Sequence, residues 1–107
     1  MDNSRIFTMP FGKIYPLLVA KAEKKVRTAA EVDEVISWLT GYDKAAIAVA
    51  VGGDVSYAAF FDNAPQIHKN APLIKGTVCG VRVEEIEDAT LQKIRWLDKL
   101  VDELAKG

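Results

Sequence analysis

Little in this chain of 107 residues is set aside for redox, metal or polyanion chemistry. It has one cysteine, Cys79, which cannot form an internal disulfide. That residue lies in the apolar run TVCGV, a setting for core packing and not for a reactive thiolate, and a reducing cytoplasm is its natural compartment. It has one histidine, His68, so any triad or transition-metal site would lean on a single imidazole. Charge of one sign is also missing. The net charge is −1, and residues 1–53 hold seven Lys/Arg against six Asp/Glu while residues 54–107 hold seven against nine. No basic tail offers itself to a polyanion. MDNSRIF lacks the basic start and long apolar core of a secretory signal. The longest run without a charge, Ala45 to Gly53, is too short to span a bilayer. Gly52-Gly53 and Gly76-x-x-x-Gly80 fall outside the phosphate-loop and dinucleotide patterns. These absences point to a soluble, cytoplasmic protein without a nucleotide.

What is present is helical patterning. Half the residues are hydrophobic and 27% are charged, ordinary for one globular domain over residues 1–107. The clearest segment is Arg27 to Tyr42, RTAAEVDEVISWLTGY. Thr28 and Glu31 have the spacing of a capping box, Val32, Val35, Ile36 and Leu39 form a core-facing stripe, and Gly41 supplies a left-handed stop. Upstream, positions 11, 14, 15, 18, 22 and 26 are apolar at helical spacing. Pro16 favours a start after Gly12, which would confine its missing donor to the helix edge. Met1 to Thr8 reads as an extended arm with Ile6 and Phe7 to bury.

Asp43 can cap a third helix, although AAIAVAVGGDVSYAAFF also alternates like a hairpin over residues 46–61; its alanines favour helix, with Asp54 or Ser56 capping a short helix to Asp62. NAPQIHKNAP is a loop bracketed by Pro65 and Pro72. Pro72 suits the first turn of a helix capped near Asn70 and running through Val81, with Gly76 and Gly80 on one face; a strand over residues 77–83 competes. Asp88 then caps a long helix to Lys106 with Leu91, Ile94, Leu97, Val101 and Leu104 as its stripe. The expected fold is all-α, a single domain of about five helices with room for a short strand or hairpin at 46–61 or 77–83.

Three strings, KAEKKVRTAAEVDEVISWLTGY, LIKGTVCGVRVEEIED and IRWLDKLVDELAKG, resemble an uncharacterised family of small prokaryotic proteins, the domain of unknown function numbered 2200. RIF and YP near the start, Phe60-Phe61 and Ala64-Pro65 extend the likeness over nearly the whole chain. The resemblance implies a small, largely helical cytosolic protein and brings no activity, cofactor or catalytic residue with it. Relatives look more polar than AAIAVAV, and they continue past Lys106-Gly107, so an early end to this chain is expected.

Several groups have chemistry to offer. Glu84, Glu85, Glu87 and Asp88 are the densest set of carboxylates, without the loop spacing of a cation site, and Glu87 and Asp88 also suit the start of the last helix. Arg82, between two valines, must reach solvent, pair with a carboxylate such as Glu85, or hold an anion. The candidate ligand or anion site is therefore Arg82, Glu84, Glu87 and Asp88 with His68. No metal set and no cofactor is indicated. The basic cluster Lys21, Lys24, Lys25 and Arg27 beside a helix pair suggests a helix-turn-helix, but neither recognition helix is basic, so nucleic acid is disfavoured. The expected role is a non-catalytic protein-interaction or self-association module, a homodimer or a partner of another protein, with Gly76, Gly80 and Trp96 at the interface. A small-molecule or metal-dependent enzyme built on Arg82 and the acids is the alternative, and a nucleic-acid-binding protein comes after it.

Overall fold

In the computed structural model, which describes residues 4–78 and 80–106, four side-chain caps start helices at the positions their sequence predicts. The Thr28 hydroxyl accepts the Glu31 amide at 3.2 Å and the Glu31 carboxylate accepts the Thr28 amide at 3.2 Å, opening α3 (Ala29–Thr40), which ends on Gly41 at φ 82°. Asp43 accepts the Ala46 amide at 2.8 Å at the start of α4 (Lys44–Gly52). Ser56 accepts the Ala59 amide at 3.1 Å at the start of α5 (Tyr57–Asp62). Asp88 accepts the Leu91 amide at 2.9 Å at the start of α6 (Ala89–Lys106). The helical reading of residues 44–62 therefore holds against the hairpin.

Two N-terminal expectations are corrected. From Ser4 the arm is a helical turn, α1 (Ser4–Thr8), because neighbours about 100° apart on a helix can both face one core, and Ile6 and Phe7 do; its first three residues lie outside the described ones. Helix α2 (Phe11–Glu23) starts at Phe11 and keeps Pro16 in its interior. That start is secured from outside the helix: the Phe11 amide donates to the Val55 carbonyl and the Tyr57 amide to the Met9 carbonyl, each at 2.8 Å. Gly12 packs where an added Cβ would stand 2.3 Å from the Val51 carbonyl oxygen, so α2 and α4 approach more closely than any other residue permits. Val26 is not part of the buried stripe. It is 90% exposed at φ 62°, closing α2 with the Arg27 amide on the Ala22 carbonyl at 3.0 Å.

Residues 71–85 are not the glycine-faced helix. A single 3-10 turn at Ala71–Leu73 uses Pro72, then β1 (Thr77–Val78) pairs antiparallel with β2 (Val81–Arg82), and a second 3-10 turn follows at Val83–Glu85. Gly76 at φ 120° and Gly80 at φ 79° are the flanking and turn residues of this hairpin. The hairpin and its 3-10 turn pack on α6, which also meets α2, α3 and α5. Phe11, Leu18, Ile36, Phe60, Phe61 and Leu97 are among the side chains that fill the space between. The result is one compact, mostly helical globule. No described helix is long and apolar enough to cross a membrane.

Candidate functional site

The most developed surface feature is centred on Trp38, near the end of α3. The last carbonyls of a helix lack internal partners, and here the following loop supplies them. The Gln66 amide donates to the Thr40 carbonyl at 3.1 Å and the His68 amide to the Leu39 carbonyl at 3.0 Å. This strap lays the His68 imidazole on the Trp38 indole, ring centroids 4.0 Å apart and planes 17° from parallel. The other end of the imidazole is also fixed, because Nδ1 accepts the Asn70 amide at 3.0 Å. Trp38 is thus held in place while 42% exposed.

The indole lines two cavities. One, about 320 Å³, lies between α3 and α6 and is bounded by Glu31, Glu34, Val35, Trp38, Leu100 and Leu104. The other, about 380 Å³, is bounded by Gly41, Gln66, His68 and Lys69 beside the same ring. The first has an apolar floor and a carboxylate rim, and its far end is tied down. Arg27 donates from Nε to the Leu104 carbonyl at 2.9 Å, a cation on the last turn of α6, and its other nitrogen stands 3.5 Å from Glu31. Glu31 is thereby occupied with Thr28 and Arg27. Glu34 is exposed and forms no hydrogen bond or ion pair among the described residues, so its charge is unspent. An apolar floor, a fixed indole and an unneutralised carboxylate suit apolar contact and a cation, and among the described residues neither cavity is lined by a serine or threonine nucleophile.

Of the residues singled out from sequence, His68 lies at this feature, and the others lie elsewhere or serve the fold. Arg82 is mostly exposed, 3.6 Å from Glu84 and 3.7 Å from Glu85. Glu84 also accepts the Gly76 amide at 3.1 Å, and that backbone bond, ahead of the nearby Arg82 and Lys75 charges, holds its carboxyl below the usual range. Asp88 caps α6 and Glu87 is exposed. Among the described residues no three His, Cys, Asp or Glu side chains gather as a metal set. Arg82, Glu84 and Asp88 belong to the hairpin and the start of α6, whereas His68 stands on Trp38. Gly76 and Gly80 share a hairpin and not a helix face. Trp96 is 6% exposed and belongs to the core, because α6 has neighbours on several sides. The expectation for Cys79 lies outside the described residues.

Three further polar side chains, Tyr57, Tyr15 and Asp98, are perturbed by burial. The Tyr57 hydroxyl is buried without a hydrogen-bond partner among the described residues, and burial, with the charge of Asp98 added and that of Arg95 opposing, pushes its pKa well above the ordinary value. Tyr15 donates to Asp33 at 2.5 Å, and burial together with that carboxylate pushes its pKa up to about 12. Burial raises the Asp98 carboxyl against the bond it accepts from Arg95 at 2.9 Å.

Sequence reasoning placed Trp96 and not Trp38 at the candidate surface, although the place of Trp38 off the stripe of α3 marks it as a flank residue. Comparison with known proteins adds kinship without an activity. A family model described as "Uncharacterized protein conserved in bacteria (DUF2200)" matches residues 5–107. A crystal structure described as uncharacterized protein SP1917 is 44% identical, with a TM-score of 0.95 over 99% of this chain and 87% of that one. Comparison with curated proteins gives no match. With the family model spanning nearly every residue and the three quoted strings inside it, the chain belongs to the DUF2200 family of bacterial proteins.

Proposed function

We propose that this protein is a non-catalytic protein-interaction domain whose docking surface is the groove between α3 and α6. The observation that carries the reading is Trp38, an indole held rigid by His68 yet 42% exposed over an apolar floor of Val35, Leu100 and Leu104. Rigid, half-exposed aromatics are the anchors around which protein interfaces concentrate their binding energy. Glu34 on the rim selects the partner: an apolar segment carrying a lysine or arginine, whose stem covers the floor and whose head meets the indole and the carboxylate. The enzyme reading has less support, because Arg82 and Glu84 are engaged in the hairpin and His68 is committed to Trp38.

The test replaces Leu100 with a photo-crosslinking phenylalanine derivative in a bacterium carrying the protein. The expected result is a protein adduct whose crosslinked segment is apolar with a basic residue, and which disappears when Trp38→Ala is added. Adducts indifferent to Trp38, or adducts of small metabolites alone, would overturn the proposal.

A further inference from the structure

The two cavities that share the Trp38 ring are opposite in charge. Glu31, Glu34, Val35 and Trp38 recur at the spacing of one face of α3, so the first cavity follows that face up to the indole. Gly41 and the strap residues Gln66, His68 and Lys69 carry the depression on past the ring. Carboxylates stand on one side of the indole and a lysine on the other.

Glu34 and Lys69 are both exposed, and neither forms an ion pair among the described residues. No described carboxylate lines the second cavity. Because the His68 Nδ1 accepts the Asn70 amide, the neutral ring carries its hydrogen on Nε2, and it joins the Lys69 ammonium and the Gln66 side-chain amide as a donor. The end of α3 would oppose an anion here, since the last carbonyls of a helix form its negative pole. Those of Ser37, Leu39 and Thr40 are already taken by the amides of Gly41, His68 and Gln66, and Asp43 is turned to the Ala46 amide. What this end has left to offer is positive.

We propose that the docking segment spans both cavities and is dipolar, its lysine or arginine meeting Glu34 on one side of the indole and an aspartate or glutamate side chain meeting Lys69 on the other. The inference rests on the reading of the Trp38 groove as a docking surface and supplies the second half of the partner. The carboxylate belongs to a side chain and not to a chain end, because Lys69 stands, like Glu34, on an exposed rim that a passing segment reaches with a head group. A carboxylate without the basic residue does not suffice, since the apolar floor that seats the segment is rimmed by Glu31 and Glu34.

Titration of the native protein with end-capped helical peptides, followed by the Trp38 indole signal in NMR, tests it. The parent peptide holds leucine, alanine and one lysine; four others add a glutamate four or seven residues before or after the lysine, on the same face, and one leaves the parent's carboxyl terminus free. At least one glutamate peptide should bind about two- to five-fold tighter than the parent, the size of an exposed ion pair, and lose that gain at high salt. In Lys69→Glu the order should invert, and replacing that peptide's glutamate by a second lysine should restore the gain. A parent that binds without gain from any glutamate would overturn the inference and leave the groove reading standing. So would a gain given only by the free carboxyl terminus, or one indifferent to Lys69→Glu, the mark of a peptide merely made more helical. Failure of every peptide, the parent included, would overturn the groove reading and this inference with it.

Discussion

The two tryptophans have the same local address and opposite fates. Trp38 and Trp96 each stand two positions after a buried isoleucine, Ile36 and Ile94, and so point roughly 160° away from it around the helix. Trp96 is 6% exposed because α6 has α2, α3, α5 and the hairpin around it, so that even the side opposite its main stripe is covered. Trp38 is 42% exposed because its outer side meets only a loop, whose His68 lies flat on the ring. Helix phase says which residues leave the stripe. How many neighbours a helix has decides whether leaving it means solvent.

The largest expected effect follows directly. Trp96→Ala should cost about 3–5 kcal/mol of unfolding free energy, the range for emptying a large core site. Trp38→Ala should cost less than about 1 kcal/mol, the size of a surface change. Urea unfolding of both variants measures this, and equal losses would break the comparison. The interior should be as intolerant at its smallest residue. Gly12→Ala forces a Cβ onto the Val51 carbonyl and should cost about 1–3 kcal/mol in the same assay, an overpacking penalty.

A smaller effect of opposite sign belongs to the exposed side. Val26 holds φ 62°, which a β-branched residue adopts at a cost, so Val26→Gly should gain about 0.5–1 kcal/mol despite the entropy glycine brings to the unfolded chain. The last effect vanishes at neutral pH. The Tyr15 pKa is about 12 when folded against an ordinary 10, so between those values the unfolded chain releases a proton that the folded chain retains. Stability should therefore be intact below pH 10 and fall as pH rises toward 12. Tyr15→Phe should flatten that part of the slope, with Tyr42 and Tyr57, also raised, keeping the remainder.

Local chemistry made much of the fold legible. Thr28, Asp43, Ser56 and Asp88 each bond an amide three residues on, an interaction written within one turn. The misread segments are those whose backbone is held from afar. Helix α2 begins early because its start is held from outside, by the Phe11 amide on the Val55 carbonyl, the Tyr57 amide on the Met9 carbonyl and the close seat of Gly12 against Val51, against the Pro16 penalty. The hairpin replaces a helix because Glu84, eight residues on, holds the Gly76 amide and because two glycines accept positive φ. Trp38 was visible as an aromatic residue off the stripe. The groove beside it and the fixing of its ring depend on Leu100 and Leu104 of α6 and on the loop strap from Gln66 and His68, none of them within its own helix.

The two indoles differ in exposure, 42% for Trp38 and 6% for Trp96, and each gives its own N–H signal in a two-dimensional NMR spectrum. The decisive measurement titrates the native protein with a helical peptide of leucine, alanine and lysine, with a glutamate-for-lysine peptide as control. The Trp38 signal should move with the lysine peptide, the Trp96 signal should stay, and the glutamate peptide should move neither. No movement of Trp38, or the same movement with the acidic peptide, would contradict the account.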